Sequence, residues 1–227
     1  MHPDTVYQPA FAEEDNALIP AGAAGEQKYD VDAFKAAAKS GDYLSRLKLM
    51  TGAAGKCKDG SFPMNHYALI KDQHFQDLGE SVDILVVTWR PKALEIGEAI
   101  ITVFDTESAE FKRIQAKSTE PDSGCMYGPE YLVWISGVKE WATLFMGSKS
   151  SRRESPQLQA RLEKAATLTP HKIETPKYTW FSDKVMPCSS PIDMPDMEEL
   201  KATVEKFNNP PVSEIEKVET TGEERAR

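Results

Sequence analysis

Between Tyr43 and Val185 the apolar residues come in short bursts, divided by Gly, Pro, Asn and Asp, and within several bursts they alternate with polar ones. Alternation with a period of two is the mark of a pleated strand, whose successive side chains point to opposite faces. In the stretch 141–146, Trp141, Thr143 and Phe145 fall on one face, and Ala142, Leu144 and Met146 on the other. The same reading predicts strands over 43–50, 66–70, 82–89, 99–104, 130–135, 171–174 and 178–185. The turn 136–140 makes a hairpin of the strands on either side of it.

Helical spacing is sparser. One helix is expected over 108–117, with Phe111 and Ile114 on one side. A second is expected to start with Ser155 as N-cap and Pro156 as the first helical residue, followed by Leu158, Leu162 and Ala165 at i, i+4 and i+7. A third begins at Asp196, where Asp196 and Glu199 have the spacing of a capping box and Leu200, Val204 and Phe207 form a stripe. The run Asn208-Asn209-Pro210-Pro211 ends it. Many short strands with few helices predict a mainly β, α+β chain, folded as a closed or partly open barrel and not as a doubly wound sheet. No repeat of fixed period is present, which excludes solenoids and propellers.

The net charge of −9 is unevenly spread. Residues 1–40 hold 3 basic and 7 acidic side chains, 41–189 hold 19 of each, and 190–227 hold 5 and 10. The acidity therefore lies in the ends, and the neutral middle can segregate its cations onto one face. Composition divides the chain in the same way: an acidic mobile leader over 1–40, a folded domain over 41–210, and a disordered acidic tail over 211–227. The longest apolar runs, such as 84–87 and 132–135, are strand-length, far below the roughly 20 residues of a membrane span. The N-terminus lacks the basic and apolar regions of a secretory signal, so a cytoplasmic location is expected. Cys57, Cys125 and Cys188 are odd in number and widely spaced, which points to reduced thiols and not to a disulfide framework or a four-cysteine zinc site.

Catalytic patterns are weak. The stretch 147–150 follows a predicted strand but lacks the full phosphate-loop pattern. Glu110 and Lys112, with Asp83 or Asp105 as a second carboxylate, could form a metal-dependent nuclease site. Exposed helix-surface chemistry explains the Glu110 and Lys112 pair at least as well. His2, His66, His74 and His171 have no ligand spacing. No cofactor, metal or catalytic residue is expected.

What stands out instead is basic residues interleaved with aromatics on or beside strands. Unpaired bases stack on aromatic rings while Lys and Arg follow the phosphates. Three clusters carry this pattern: Trp89-Arg90-Pro91-Lys92; Lys149 with Arg152 and Arg153; and Lys177, Tyr178, Trp180 and Phe181, with Lys172 and Lys184 nearby. Trp134 and Trp141 read as core, Trp89 alternates with Leu85 and Val87 and favours burial, and Trp180 is balanced between core and stacking.

The segments 45–50, 82–91, 123–131 and 145–154 resemble segments of tailed-bacteriophage single-stranded-DNA-binding proteins, and the likeness runs over roughly 43–210. The resemblance implies an OB-like five-stranded barrel with extra strands and helices. It also implies a protein that coats single strands during phage replication or recombination. Such proteins often carry acidic C-terminal tails that contact replication enzymes or cover their own groove; here the tail ends in Arg225-Ala226-Arg227 and not in an aromatic.

The expected function is thus non-enzymatic, sequence-tolerant binding of single-stranded DNA. Arg46, Lys48, Arg90, Lys92, Lys149, Arg152, Arg153, Lys177 and Lys184 would contact phosphates, and Tyr127, Tyr178 and Trp180 would stack. The expected partners are single-stranded DNA and, through the tail, replication or recombination proteins, with no membrane. The alternatives are the nuclease built on Glu110, Lys112 and Asp83, and a non-enzymatic phage interaction or structural protein.

Overall fold

A computed structural model describes residues 26–29 and 44–209, apart from 53, 73, 98–99, 121–122 and 177. The strands in chain order are β1 (Glu26–Tyr29), β2 (Ser45–Met50), β3 (His66–Lys71), β4 (His74–Asp77), β5 (Val82–Ile96), β6 (Ile100–Val103), β7 (Cys125–Ile135), β8 (Glu140–Phe145), β9 (Lys164–Glu174) and β10 (Thr179–Pro187). The helices are α1 (Gly55–Lys58), α2 (Ala109–Lys117), α3 (Lys149–Gln159) and α4 (Met197–Asn208). The chain is mainly β, as its alternation predicts. β1 lies inside the stretch read as a leader and pairs antiparallel with β6; the rest of that leader and the tail lie outside the described residues.

The strands form one sheet in the order β1-β6-β5-β7-β8-β2-β3-β4, with β9 joined to β5 and β10 to β9. All neighbours are antiparallel except β2 and β8, which run parallel from Ser45 opposite Ala142 to Leu47 opposite Leu144. The predicted hairpin over 136–140 is present as β7 and β8. The sheet is strongly curled into a half barrel. Curling divides its faces unequally. The inner face collects the larger core, with Leu47, Tyr67, Ile84, Val86, Tyr131, Val133, Leu144, Leu168 and Val185 drawn from seven strands and Leu158 from α3. The outer face is covered in patches. Under α4 lie Leu85, Leu132, Trp134 and Trp141 packed on Phe207, and beside α1 lie Met50, Phe62, Ala68 and Ile70.

β5 is the spine. One edge pairs with β7 along its length, and the other pairs first with β9 over Val82 to Val86 and then with β6 over Ala93 to Ile96. Proline at 91 sits opposite proline at 129. Neither can donate an N–H, so the pair occupies a site in the ladder where no bond is exchanged between them, and the strand continues. α2 packs Phe111 and Ile114 onto the far end of this spine beside Ala93, Val103 and Cys125. The helix falls where expected, and Ser108 caps it, the hydroxyl accepting from the Phe111 N–H at 3.1 Å.

α3 differs from the sequence reading. It starts at Lys149 with Ser148 as N-cap, and Pro156 lies inside it. Ser155 is occupied elsewhere, because the Tyr131 phenol meets its hydroxyl at 2.9 Å and donates to its carbonyl at 3.1 Å. Leu158 is buried in the helix, whereas Ala165 belongs to β9. The cost of an interior proline, about 3 kcal/mol in an exposed helix, is offset here by tertiary anchors. Ser151 donates to Asp183 at 3.0 Å, and Asp183 also accepts from Tyr67 at 3.3 Å. Asp183 thereby links β10, α3 and β3 across the open side of the curl. α4 begins as predicted, with the Asp196 carboxylate accepting from the backbone N–H groups of Glu198 and Glu199.

Candidate functional site

Alternation fixes which side chains share the outer face. On β2 these are Arg46 and Lys48, both exposed, between the buried Ser45, Leu47 and Leu49. Arg46 stands opposite Thr143 of β8, and Phe145 lies two residues further along the same face. Phe145 is opposite Glu130 of β7, and Glu130 is opposite Arg90 of β5. Lys92 follows Arg90 on that face. Four cations singled out in the sequence thus lie on one face of the sheet, Arg46 and Lys48 on β2 and Arg90 and Lys92 on β5, with β8 and β7 between them.

They are not equivalent. Glu130 is buried, and it accepts from Arg90 Nε at 2.9 Å and Nη2 at 2.7 Å and from Lys92 Nζ. Burial pushes the Glu130 carboxyl upward, but the charges of Lys92 and Arg90 and their hydrogen bonds outweigh it and hold the group below its ordinary value. The Arg90 guanidinium also stacks 3.8 Å from the Phe104 ring centroid and 4.2 Å from that of Phe207, and donates to the Phe207 carbonyl at the end of α4. A cation at a helix C-terminus is favourable for the helix dipole. Arg90 and Lys92 are therefore committed to the fold.

Arg46 and Lys48 make no ion pair with a described residue. Although both side chains reach water, the surrounding protein desolvates their charges and lowers both pKa values from their ordinary ranges. For Arg46 the Glu130 charge opposes this, and for Lys48 the Arg46 charge adds to it. Among the described residues neither has an acidic partner in an ion pair, so two like charges stand side by side on one face of β2.

The remaining basic and aromatic candidates gather at α3. Arg152 stacks 4.1 Å from the Tyr127 ring centroid and donates to the carbonyls of Tyr127 and Gly147 at 2.8 and 2.5 Å. Both residues are thus engaged within the fold, and burial lowers the Arg152 pKa. Lys149 and Arg153 are exposed on the same helix. Trp180 is half-buried, with its indole N–H donating to the Ser150 hydroxyl at 2.9 Å, and Lys184 pairs with Glu154 at 3.6 Å. Tyr178 is 72% exposed. Lys177 lies outside the described residues. α3 follows β8 directly, so Trp180 reaches the helix whose N-cap is three residues past Phe145.

The sequence reading missed Glu130, Thr143 and Phe145. Glu130 had a legible signal, since a lone carboxylate in the apolar run 129–135 needs a buried partner. Phe145 was readable only as one side of an alternating strand. Trp134 and Trp141 are core, 5.0 Å apart between ring centroids, with their N–H groups bound to the Asp193 carbonyl and to Glu199. The nuclease constellation is dispersed. Lys112 pairs with Glu107 at 3.0 Å, Glu110 pairs with Arg113, and Asp83 accepts from Thr167 near the start of β5. α2 packs near the other end of β5, a dozen residues and so about 40 Å of strand away. Among the described residues no group of three or more His, Cys, Asp or Glu side chains could hold a metal ion, and no helix is long and apolar enough to cross a membrane.

These features define a mainly β protein with a half-barrel sheet that carries a strip of cations on its outer face. Comparison of the chain with protein-family models, curated proteins and solved structures gives no match.

Proposed function

We propose that this protein is a non-enzymatic, sequence-tolerant single-stranded-DNA-binding protein of a tailed phage, which coats single strands during replication or recombination in the host cytoplasm. The observation that carries the reading is the pair Arg46 and Lys48: two exposed cations on one face of β2 that make no ion pair with a described residue and stand beside Phe145 of β8. Such a surface suits a flexible polyanion better than a small neutral ligand. Lys149 and Arg153 of α3, with Trp180 bonded to Ser150 of that helix and Tyr178 exposed just before β10, supply a second basic and aromatic group. An OB-like core is supported by the contiguous curl of β5, β7, β8, β2 and β3, which is left partly open. The acidic tail, outside the described residues, is assigned to contacts with replication or recombination proteins.

The test is fluorescence-anisotropy titration of a labelled single-stranded 30-mer beside its duplex, at two salt concentrations and without metal. Tight, salt-sensitive binding to the single strand is expected, and changing Arg46 and Lys48 together to Ala weakens it and lowers the salt slope by about 2. No binding to either oligonucleotide overturns the reading in favour of a protein-interaction role. Strand cleavage on adding magnesium would restore the nuclease alternative.

A further inference from the structure

Phe145 is the one aromatic side chain of β8 on the open part of the outer face, since Trp141 on the same face is buried against Trp134 and its N–H is bound to Glu199 of α4. Its ring is half-buried. Cations flank it. The Lys92 ammonium, held by Glu130, lies 5.2 Å from the ring centroid, and Lys48 comes one residue after the last paired position of β2 and β8, as does Phe145 on its own strand. The ring edge also lies close against the backbone of Gly147. A Cβ on Gly147 would stand 2.4 Å from Phe145 Cε1 and 2.6 Å from Cζ, so the ring takes its place only because residue 147 has no side chain.

The geometry points to a nucleobase subsite at Phe145: an unpaired base stacks on this ring while the phosphates on either side of it contact Lys48 and Arg46. This assignment rests on the single-strand-binding reading and names the residue that meets the bases. Three features support it. The ring is half-buried and lies against the Gly147 backbone, which limits the ordering left to be done on binding. Stacking tolerates any base, because every base has a π face. Lys48 and Arg46 make no ion pair with a described residue, whereas Lys92, whose ammonium lies over the ring, is neutralised by the buried Glu130.

The experiment compares two ligands and three variants. The ligands are a dT homopolymer 30-mer and an abasic strand of equal length, which keeps the phosphates and loses the bases. Phe145→Leu is expected to weaken binding of the dT strand about tenfold, with an unchanged salt slope and unchanged affinity for the abasic strand. Phe145→Trp restores affinity, and its added emission is quenched when the dT strand binds. Arg46→Ala acts on both ligands alike and lowers the salt slope. If Phe145→Leu melts like the parent protein and binds the dT strand as tightly, while Arg46→Ala weakens it, the subsite is wrong and the binding reading stands. If no variant changes binding, the strip itself fails. Equal losses on the dT and abasic strands would also overturn the subsite, by marking Phe145 as a packing residue.

Discussion

Trp180 donates its indole N–H to the Ser150 hydroxyl across 2.9 Å, joining the start of β10 to the first turn of α3. The two residues are thirty apart in the chain, and no local pattern couples them. Ser150→Ala removes the acceptor and leaves a half-buried indole without that partner, at a cost of about 1 kcal/mol. Thermal unfolding should shift down by roughly 2–4 °C for a chain of this size. A double-mutant cycle with Trp180→Phe checks the coupling: strictly additive losses would show that the bond contributes nothing.

Glu130 is the hinge between fold and site. Its carboxylate neutralises Arg90 and Lys92, and through Arg90 it is connected to the end of α4. Glu130→Gln leaves two largely buried cations without their counter-charge, and breaking such a pair costs about 3–5 kcal/mol. Because the folded carboxyl is held below its ordinary value, its stabilisation is present above that value and disappears as pH falls through the folded one. Urea unfolding at neutral pH should therefore separate parent and variant widely. The gap should narrow in acid; a constant gap would refute the electrostatic account.

Asp183 has the opposite sign. Burial raises its carboxyl above the ordinary 3.8, and the hydrogen bonds from Ser151 and Tyr67 only partly offset this. Burial and the Asp183 charge push the Tyr67 phenol upward as well, so it remains a neutral donor. A group raised on folding binds more protons in the native state, so its contribution is greatest below the unfolded value and fades as pH rises through the folded one. Relative to Asp183→Asn, the parent protein should gain stability as pH drops from 7 towards 4. A difference in unfolding free energy that does not vary over that range would exclude a raised carboxyl.

Much of this architecture could be read from the residues. The alternation in 141–146 gave β8 and its two faces, and Ser108 and Asp196 gave the starts of two helices. The misses share a cause. Pro91, Gly128 and Pro129 read locally as strand breakers, yet β5 and β7 run through them because the two prolines face each other where no ladder bond is exchanged. Pro156 reads as a helix start, yet anchors to Asp183 and Tyr131 carry α3 through it. In each case a tertiary partner outweighs a local preference. The site followed the same rule. The cations were visible one by one, but the closure of Arg90 and Lys92 on Glu130 and the placing of Arg46 and Lys48 on the same face depend on pairing β7 with β5 and β2 with β8, and no hairpin signal fixed that order.

Gly128 shows how tightly the rim of the strip is packed. It lies opposite Lys92 and has φ of 157°, and a Cβ there would stand 2.2 Å from the Met146 carbonyl oxygen and 3.2 Å from Arg152 Cγ. The carbonyl belongs to the backbone and cannot swing aside. Arg152 has little freedom either, since its guanidinium is bound to the carbonyls of Tyr127 and Gly147. Gly128→Ala therefore forces β7 away from the end of β8, with a cost on the order of 2–3 kcal/mol expected from overpacking. The denaturant midpoint should fall with an unchanged slope. Gly137→Ala, where nothing lies within 4 Å, is the control and should leave the midpoint nearly in place. Equal midpoints for the two variants would mean that β7 and β8 do not approach as closely at Gly128 as the geometry requires.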